Sequence, residues 1–212
     1  RRVELIFVLV IAFALILALP VSLPGEVGAV DFRPYWSSTA LLARGQDFGD
    51  PEIVDRFERE QTGWQKPYTM LAWFAPTGNV VMLPYILFPF ERAVFFWLLT
   101  NIAVVFTSAL LIGRASQLPP WTALAAAFSF SMTLLSLIAG QVNTLVLLGL
   151  ALFIYFSEKQ LDWAAGASLA LTTIKPHLVI LALPLLVLHL LRGARWRILV
   201  GLGAALLGCV LI

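Results

Sequence analysis

The residues best suited to chemistry lie shortly after the first long apolar run of the chain. Asp31 opens the segment Asp31-Phe32-Arg33-Pro34-Tyr35-Trp36. It places a carboxylate beside an arginine and two aromatic side chains. Ionisable residues at the edge of a membrane are usually retained for function, and such a group suits chemistry on a lipid-linked substrate. Asp31 is therefore the first candidate for a catalytic residue.

Two further polar segments interrupt apolar stretches later in the chain. They are Gly140-Gln141-Val142-Asn143 and Lys175-Pro176-His177. Gln141 and Asn143 could bind a ligand, or they could be hydrogen-bond partners between helices. The lysine segment could equally be a polar break between two spans, with the ammonium group extending to the lipid headgroups. The residues alone leave both alternatives open.

The composition indicates a membrane protein. Apolar residues make up 60% of the 212 residues and charged residues 12%, and the mean hydropathy is +0.91. A typical soluble domain has about one quarter charged residues. The net charge of +2 is too small to imply a nucleic-acid partner, and a single cysteine excludes both a disulfide framework and a multi-cysteine metal site.

The apolar runs predict an all-α, multi-pass transmembrane protein, since a helical span needs about 20 apolar residues. The candidate spans are Val3 to Val21, Ala93 to Gly113, Trp121 to Ala139, Val142 to Phe156, Trp163 to Ile174, Leu178 to Leu191 and Ile198 onward. The short spans indicate helices that end inside a cavity. We expect an uncleaved first span and, because no methionine precedes it and the last apolar run has no polar flank, a longer parent protein.

Four regions follow from this pattern: 1–30 as the first span and exit, 31–68 as an outer loop, 69–90 as a proline-broken segment, and 91–212 as a helical bundle truncated at its C-terminus. Residues 69–90 could form a bent span or a re-entrant hairpin. The positive-inside tendency favours a segment that does not cross, with the arginines of 192–197 and the N-terminus in the cytoplasm. The Asp31 loop, Gln141 and Lys175 then share the outer side.

Two short interfacial helices are predicted in the outer loop. The first covers Tyr35 to Ala43, and Gly45 is placed to end it. The second begins at Asp50-Pro51-Glu52, where the aspartate can cap and the proline suits the first turn. Its apolar side is Ile53, Val54 and Phe57, and the charged run from Glu52 to Glu60 is expected to be a solvated face.

An ordered set of motifs resembles a known family. Asp31 with Tyr35-Trp36, then Leu41 to Asp47 and Asp50-Pro51, resemble the first extracytoplasmic loop of glycosyltransferase family 87, the polyprenyl-phosphate-mannose-dependent membrane mannosyltransferases. Gly140 to Leu145, and Ala165-Gly166-Ala167 leading to Thr173 to His177, are similar to the middle region of that family.

The resemblance implies a C-type glycosyltransferase fold and transfer of a hexose, with mannose as the sugar of the family, from a polyprenyl phosphate to a lipid or glycan hydroxyl, with inversion, at the outer face of the cell membrane. Asp31 would be the general base. The implied substrate-binding residues are the cations that could contact the phosphate and the aromatic and amide side chains near the sugar: Arg33, Lys66, Lys175, His177, Tyr35, Trp36, Gln141 and Asn143. The chemistry requires neither a metal nor another cofactor. The implied partners are the lipid-linked donor, a glycolipid or glycan acceptor, membrane lipids and a membrane protein complex.

Other interpretations of the same residues remain. Asp31 could cap a helix or pair with Arg33. The broken helices could belong to a secondary transporter, which predicts an internal repeat that the sequence does not show. The chain could also be a non-catalytic membrane subunit of a larger assembly.

Overall fold

The fold is helical throughout the part of the chain that the structure describes. The computed structural model describes residues 29–193 and 195–211, without the side chains of residues 183 and 189–192. The helices in chain order are α1 (Phe32–Ala43), α2 (Pro51–Thr62), α3 (Pro76–Met82), α4 (Phe90–Ala115), α5 (Pro120–Ser129), α6 (Ser131–Ala139), α7 (Asn143–Glu158), α8 (Asp162–Leu169), α9 (Leu183–Gly193) and α10 (Trp196–Leu211), with 3-10 turns at Tyr85–Leu87, Ala170–Ile174 and Pro176–Leu178. The predicted all-α class is confirmed, and the predicted first span from Val3 to Val21 lies outside the described residues.

The two helices predicted in the loop are present, and the first begins at Phe32 rather than at the predicted Tyr35. Helix α1 ends at Ala43, after which Gly45 adopts a positive φ of 67°. Helix α2 begins after Asp50, whose Oδ1 accepts a hydrogen bond of 2.9 Å from the backbone N–H of Glu52. Its last residue is followed by Gly63 in the left-handed conformation. Local capping chemistry therefore determines where α1 ends and where α2 begins and ends.

The described chain forms two compact units. The first contains residues 29–73, 81–103 and 124–141, and the second contains residues 74–80, 104–123, 142–193 and 195–211.

Aromatic rings form the centre of the first unit. Phe32 is fully buried and packs on Phe90, Trp97 and Tyr85, with ring centroids 5.5 to 6.2 Å apart. Aromatic pairs at these distances stabilise a core beyond the area that they bury.

Backbone contact is the main feature of the second unit. A Cβ atom added to Gly166 of α8 would overlap the carbonyl oxygen of Ile198, and one added to Gly201 of α10 would overlap the carbonyl oxygen of Trp163. Small residues allow two helix backbones to approach this closely. Buried Ala165, Leu169 and Ile198 form the core around the crossing.

One predicted span is interrupted. The sequence favoured a continuous helix from Trp121 to Ala139, but α5 and α6 meet at Phe130 with a bend of 65°. Phe130 has extended backbone angles, and its carbonyl oxygen accepts the first hydrogen bonds of α6. Ser129 and Ser131 flank it, and serine hydroxyls compete with the helical hydrogen bonds of the backbone. The Oγ of Ser129 lies 3.4 Å from the carbonyl oxygen of Ala126.

Only part of the predicted membrane topology has direct support. Among the described residues, α4 is long and apolar enough to cross a bilayer, and α5 with α6 would be a second such segment if the bent pair is counted as one span. Helices α7 and α10 are apolar but have 16 residues each, fewer than the roughly 20 of a perpendicular span. The full multi-pass arrangement stays a prediction.

The other predicted spans correspond to shorter or broken elements. The segment Trp163 to Ile174 divides into α8 and a 3-10 turn, and the segment from Leu178 becomes helical at Leu183. In the proline-broken region, Pro76 begins the seven-residue helix α3, and a 3-10 turn follows Pro84. Whether this region crosses a membrane stays a prediction.

Candidate active site around Asp31

Asp31 lies at the N-terminal end of α1, in the first unit, and is partly exposed. Within the described part of the chain its carboxylate caps none of the first N–H groups of α1. Instead, Nε2 of Gln141 donates a hydrogen bond of 2.5 Å to Oδ2 of Asp31. Two residues that are far apart in sequence, both predicted for the site, are thus in direct contact.

The backbone around Asp31 is joined to the end of α6. The N–H groups of Ala29 and Asp31 donate hydrogen bonds of 2.9 Å to the carbonyl oxygens of Ile138 and Ala139. The last carbonyl groups of a helix have no partner within the helix, so they are available to accept these bonds. Asp31 is therefore held by the C-terminal end of α6.

Gly140 makes this junction possible. It has a φ of 71°, and the following N–H, of Gln141, returns to the carbonyl oxygen of Ser136 at 2.8 Å. This is the usual left-handed end of a helix. A Cβ atom at Gly140 would lie 2.7 Å from the Cβ of Phe32, so glycine is required by conformation and by space.

Trp97 of α4 fixes the same turn from another side. Its indole Nε1 donates a hydrogen bond of 2.8 Å to the carbonyl oxygen of Gly140, and its ring is stacked on Phe32. The side chain is 1% exposed. Trp97 could not be recognised from the sequence, because a tryptophan within an apolar run looks the same whether it faces lipid or a buried carbonyl group.

Arg33 is a buried cation. Its side chain is 1% exposed, and its Nε donates a hydrogen bond of 2.8 Å to Oγ1 of Thr62. The guanidinium carbon lies 4.4 Å from the ring centroid of Trp64 and 5.2 Å from that of Phe90. These contacts connect α1, α2 and α4, and they are the contacts of a structural cation. Binding of a phosphate by Arg33 stays a prediction.

Tyr35 and Trp36 are buried on α1. Nε1 of Trp36 donates a hydrogen bond of 3.1 Å to the carbonyl oxygen of Tyr85, and its ring packs against Phe57 and Phe90. Burial, followed by the charge of Asp31, raises the pKa of Tyr35 above its ordinary value. The phenol of Tyr35 therefore stays protonated near the candidate base and can act as a hydrogen-bond donor.

Lys66 lies in the irregular segment after α2 and is partly buried. Its carbonyl oxygen accepts a hydrogen bond of 2.8 Å from Arg59, which also pairs with Asp55 at 2.7 Å. The hydrogen bond from Arg59 holds the pKa of Asp55 below its usual range. The backbone at Lys66 is thus attached to α2.

Glu58 is an exception to the solvated face predicted for α2. The residue is fully buried, facing Arg33 and Ser37 of α1. Burial raises the pKa of Glu58 to about 7, although the positive charge of Arg33 favours the ionised form. The burial of Glu58 could not be predicted from the sequence, because a glutamate in a charged helical run usually faces solvent.

The remaining predicted site residues belong to the second unit. Lys175 and His177 occupy the 3-10 turns that follow α8, and His177 is exposed. Asn143 begins α7, and its Oδ1 is buried without a hydrogen-bond partner among the described residues. A buried acceptor of this kind usually finds a water or a ligand.

Comparison with known proteins adds the family. The sequence model of glycosyltransferase family 87 matches residues 72–212, which is more than half of the chain. The chain belongs to glycosyltransferase family 87. No curated protein and no solved structure matches it significantly.

Membership in family 87 confirms the resemblance in the middle and C-terminal parts of the chain. The matched residues include Gly140 to Asn143 and Lys175 to His177. They begin after the loop that carries Asp31, so the role of that loop rests on its own geometry. Membership in family 87 makes the chain a membrane-associated glycosyltransferase.

Proposed function

We propose that this protein is an inverting, multi-pass membrane glycosyltransferase that uses a polyprenyl-phosphate hexose, with mannose as the sugar that the family resemblance favours. The acceptor is a hydroxyl group of a lipid or glycan on the outer face. As the hydroxyl oxygen attacks the anomeric carbon, its proton passes to Asp31. The bond between that carbon and the phosphate oxygen breaks, and the polyprenyl phosphate leaves with the electron pair.

The hydrogen bond between Gln141 and Asp31 carries the proposal. It joins the acid of the loop to the Gly140–Asn143 segment, which the family match includes. The carboxylate is partly exposed, and its side chain does not serve the helix that follows it. A fixed carboxylate that is open to solvent and not used as a cap is suited to accept a proton from a bound hydroxyl.

A lipid donor is supported by the surfaces of the second unit. An apolar cavity of about 310 Å³ is lined by residues of α7, α8 and α9, among them Leu150, Phe153, Leu169 and Leu185. Its lining is apolar and therefore suits an isoprenoid chain. The 60% apolar composition points to a substrate reached from the bilayer.

Cationic groups would stabilise the phosphate as it leaves. Arg33 is enclosed by aromatic rings, whereas His177 is exposed and Lys66 and Lys175 are partly exposed. We therefore propose each of Lys66, Lys175 and His177, taken separately, as a better candidate for the phosphate contact than Arg33. A phosphate monoester can leave with such partners, so the proposal requires no metal.

The test is sugar transfer by the full-length protein reconstituted in lipid vesicles. Radiolabelled polyprenyl-phosphate mannose, glucose or galactose is supplied with a membrane lipid and glycan extract, and the product linkage is analysed. Asp31→Asn should lower transfer about 10²- to 10⁴-fold, the usual contribution of a general base. Asp47→Asn, at an exposed aspartate of the same loop, should leave transfer unchanged.

Three outcomes would contradict the proposal. Undiminished transfer by Asp31→Asn would remove the base assignment. Transfer from nucleotide sugars but from no polyprenyl-phosphate hexose would exclude the donor class. A product with retained anomeric configuration would exclude the single inverting displacement.

A further inference from the structure

We infer that Gln141 is a positioning residue for Asp31, and not a ligand for the sugar. This inference rests on the proposed function, because it assigns the role of Gln141 in the same reaction. The side chain of Gln141 donates to Oδ2 of Asp31 at 2.5 Å. With Oδ2 engaged, the rotation of the carboxylate is restricted, and Oδ1 is the oxygen that takes the hydroxyl proton.

The orientation of the Gln141 amide follows from chemistry. A glutamine amide has a donor end and an acceptor end of nearly the same shape. If the amide oxygen faced Asp31 at this distance, two acceptor oxygens would oppose each other. The NH₂ group must therefore face the carboxylate, which makes the contact a charge-assisted hydrogen bond and one of the stronger kinds.

The fold does not depend on this side-chain contact. Asp31 is attached to α6 by the backbone bonds of Ala29 and Asp31, and the turn at Gly140 is held by Trp97. These bonds fix the positions of the two backbones, so that only side-chain rotation remains free. The amide of Gln141 then determines the rotamer of the carboxylate, and this is the property that a general base requires.

The experiment uses Gln141→Ala and Gln141→Leu in the full-length protein. Leucine has a side chain of similar size to that of glutamine but no N–H donor and no charge, so both variants should lose the same contact. We expect kcat to fall about 10- to 100-fold in each, because small displacements of a catalytic group have effects of this size. The KM for donor and acceptor should stay within about two-fold, since the lost contact is not with either substrate. Gln61→Ala, at an exposed glutamine of α2, is the matched control and should behave as the wild type.

A double-mutant cycle separates positioning from substrate binding. If Gln141 acts through Asp31, Gln141→Ala should cause no further loss in the Asp31→Asn background. If Gln141 binds the sugar, the two losses should multiply and the KM should rise. Multiplying losses, or an increase in KM with unchanged kcat, would overturn the inference while leaving the proposed function intact.

A spectroscopic measurement tests the contact without activity. In protein labelled with ¹⁵N-glutamine, the side-chain amide signal that disappears in Gln141→Ala should shift in Asp31→Ala. An unchanged signal would overturn the inference. A wild-type protein that transfers no sugar from any polyprenyl-phosphate hexose would overturn the proposed function together with the catalytic part of the inference. An active wild type with an equally active Gln141→Ala would overturn the inference alone.

Discussion

The two compact units use different means to hold their elements together. In the first unit, large side chains occupy the space between elements, and their polar atoms bond to distant backbone groups, as Trp36 does with Tyr85 and Trp97 with Gly140. In the second unit, glycines bring α8 and α10 into backbone contact. An indole that both packs and donates a hydrogen bond specifies the position and the orientation of the elements that it joins. A glycine crossing specifies only the distance between two helices.

This difference is related to function. The candidate base lies in the unit built from hydrogen-bonding aromatic residues, and a general base needs a defined orientation. The apolar cavity that we propose for an isoprenoid chain lies in the unit with the glycine crossing, and an apolar chain needs a fitting shape rather than directed hydrogen bonds. Substitutions that affect only one kind of packing test the comparison.

The largest expected effect is that of removing the buried cation. Arg33→Ala leaves Glu58 in the interior without its positive neighbour and empties the space over Trp64. A cation–π contact away from water contributes about 2 kcal/mol, and a hydrogen bond to a charged group about 1.5–3 kcal/mol. We expect a strongly lowered melting temperature of the detergent-purified protein, followed by tryptophan fluorescence.

Arg44→Ala is the matched control for Arg33→Ala. Arg44 is exposed at the end of the same helix and lies 4.8 Å from the ring centroid of Phe57. An exposed contact of this type contributes about 0.5–1 kcal/mol. Equal shifts for the two variants would show that the buried position of Arg33 adds nothing to stability.

An intermediate effect is expected at the glycine crossing. Gly201→Ala places a methyl group against the backbone of Trp163, while Gly203→Ala on the same helix meets no atom within 4 Å. Overpacking of this kind costs about 1–3 kcal/mol. The second substitution should be neutral or stabilise by up to about 1 kcal/mol, because alanine favours a helix over glycine. The melting temperature should therefore fall for Gly201→Ala and stay level or rise for Gly203→Ala, and a common fall would contradict the backbone contact.

The most gradual effect is a pH dependence of the first unit, which is small at each step of pH. Burial raises the pKa of Glu58 from 4.5 to about 7, so between these values the folded state binds more protons than the unfolded state. The free energy of unfolding should therefore fall as pH rises through this window, by at most about 1.4 kcal/mol per pH unit. The charges acting on Glu58 are those of Arg33 on α1 and of Asp55 and Arg59 on α2.

Glu58→Gln should remove this dependence. It is compared with the wild type and with Glu60→Gln, at an exposed glutamate of the same helix, in melting curves between pH 4.5 and 7. A wild-type melting temperature that rises with pH relative to Glu58→Gln would contradict the sign of the effect.

Local signals predicted much of the helical structure. Asp50 and Gly45 define helix ends through bonds within a few residues of themselves, which is why the loop helices could be placed from the sequence. The bend at Phe130 was missed, since two serines beside an aromatic residue interrupt a helix only when the surroundings favour it. The side of α2 to which Glu58 points was also missed, because the cation that makes its burial tolerable comes from another helix.

The candidate site, too, could be predicted only in part from the sequence. The sequence by itself determined the helical class, the family of residues 72–212 and the chemical types of the candidate residues, because composition, capping and ordered motifs are properties of neighbouring positions. Only the tertiary structure decided that Gln141 contacts Asp31 and that Arg33 is enclosed by aromatic rings. Both facts depend on which distant elements pack together, and in this chain that choice is made by a left-handed glycine, two indole N–H groups and the open carbonyl groups at the end of α6.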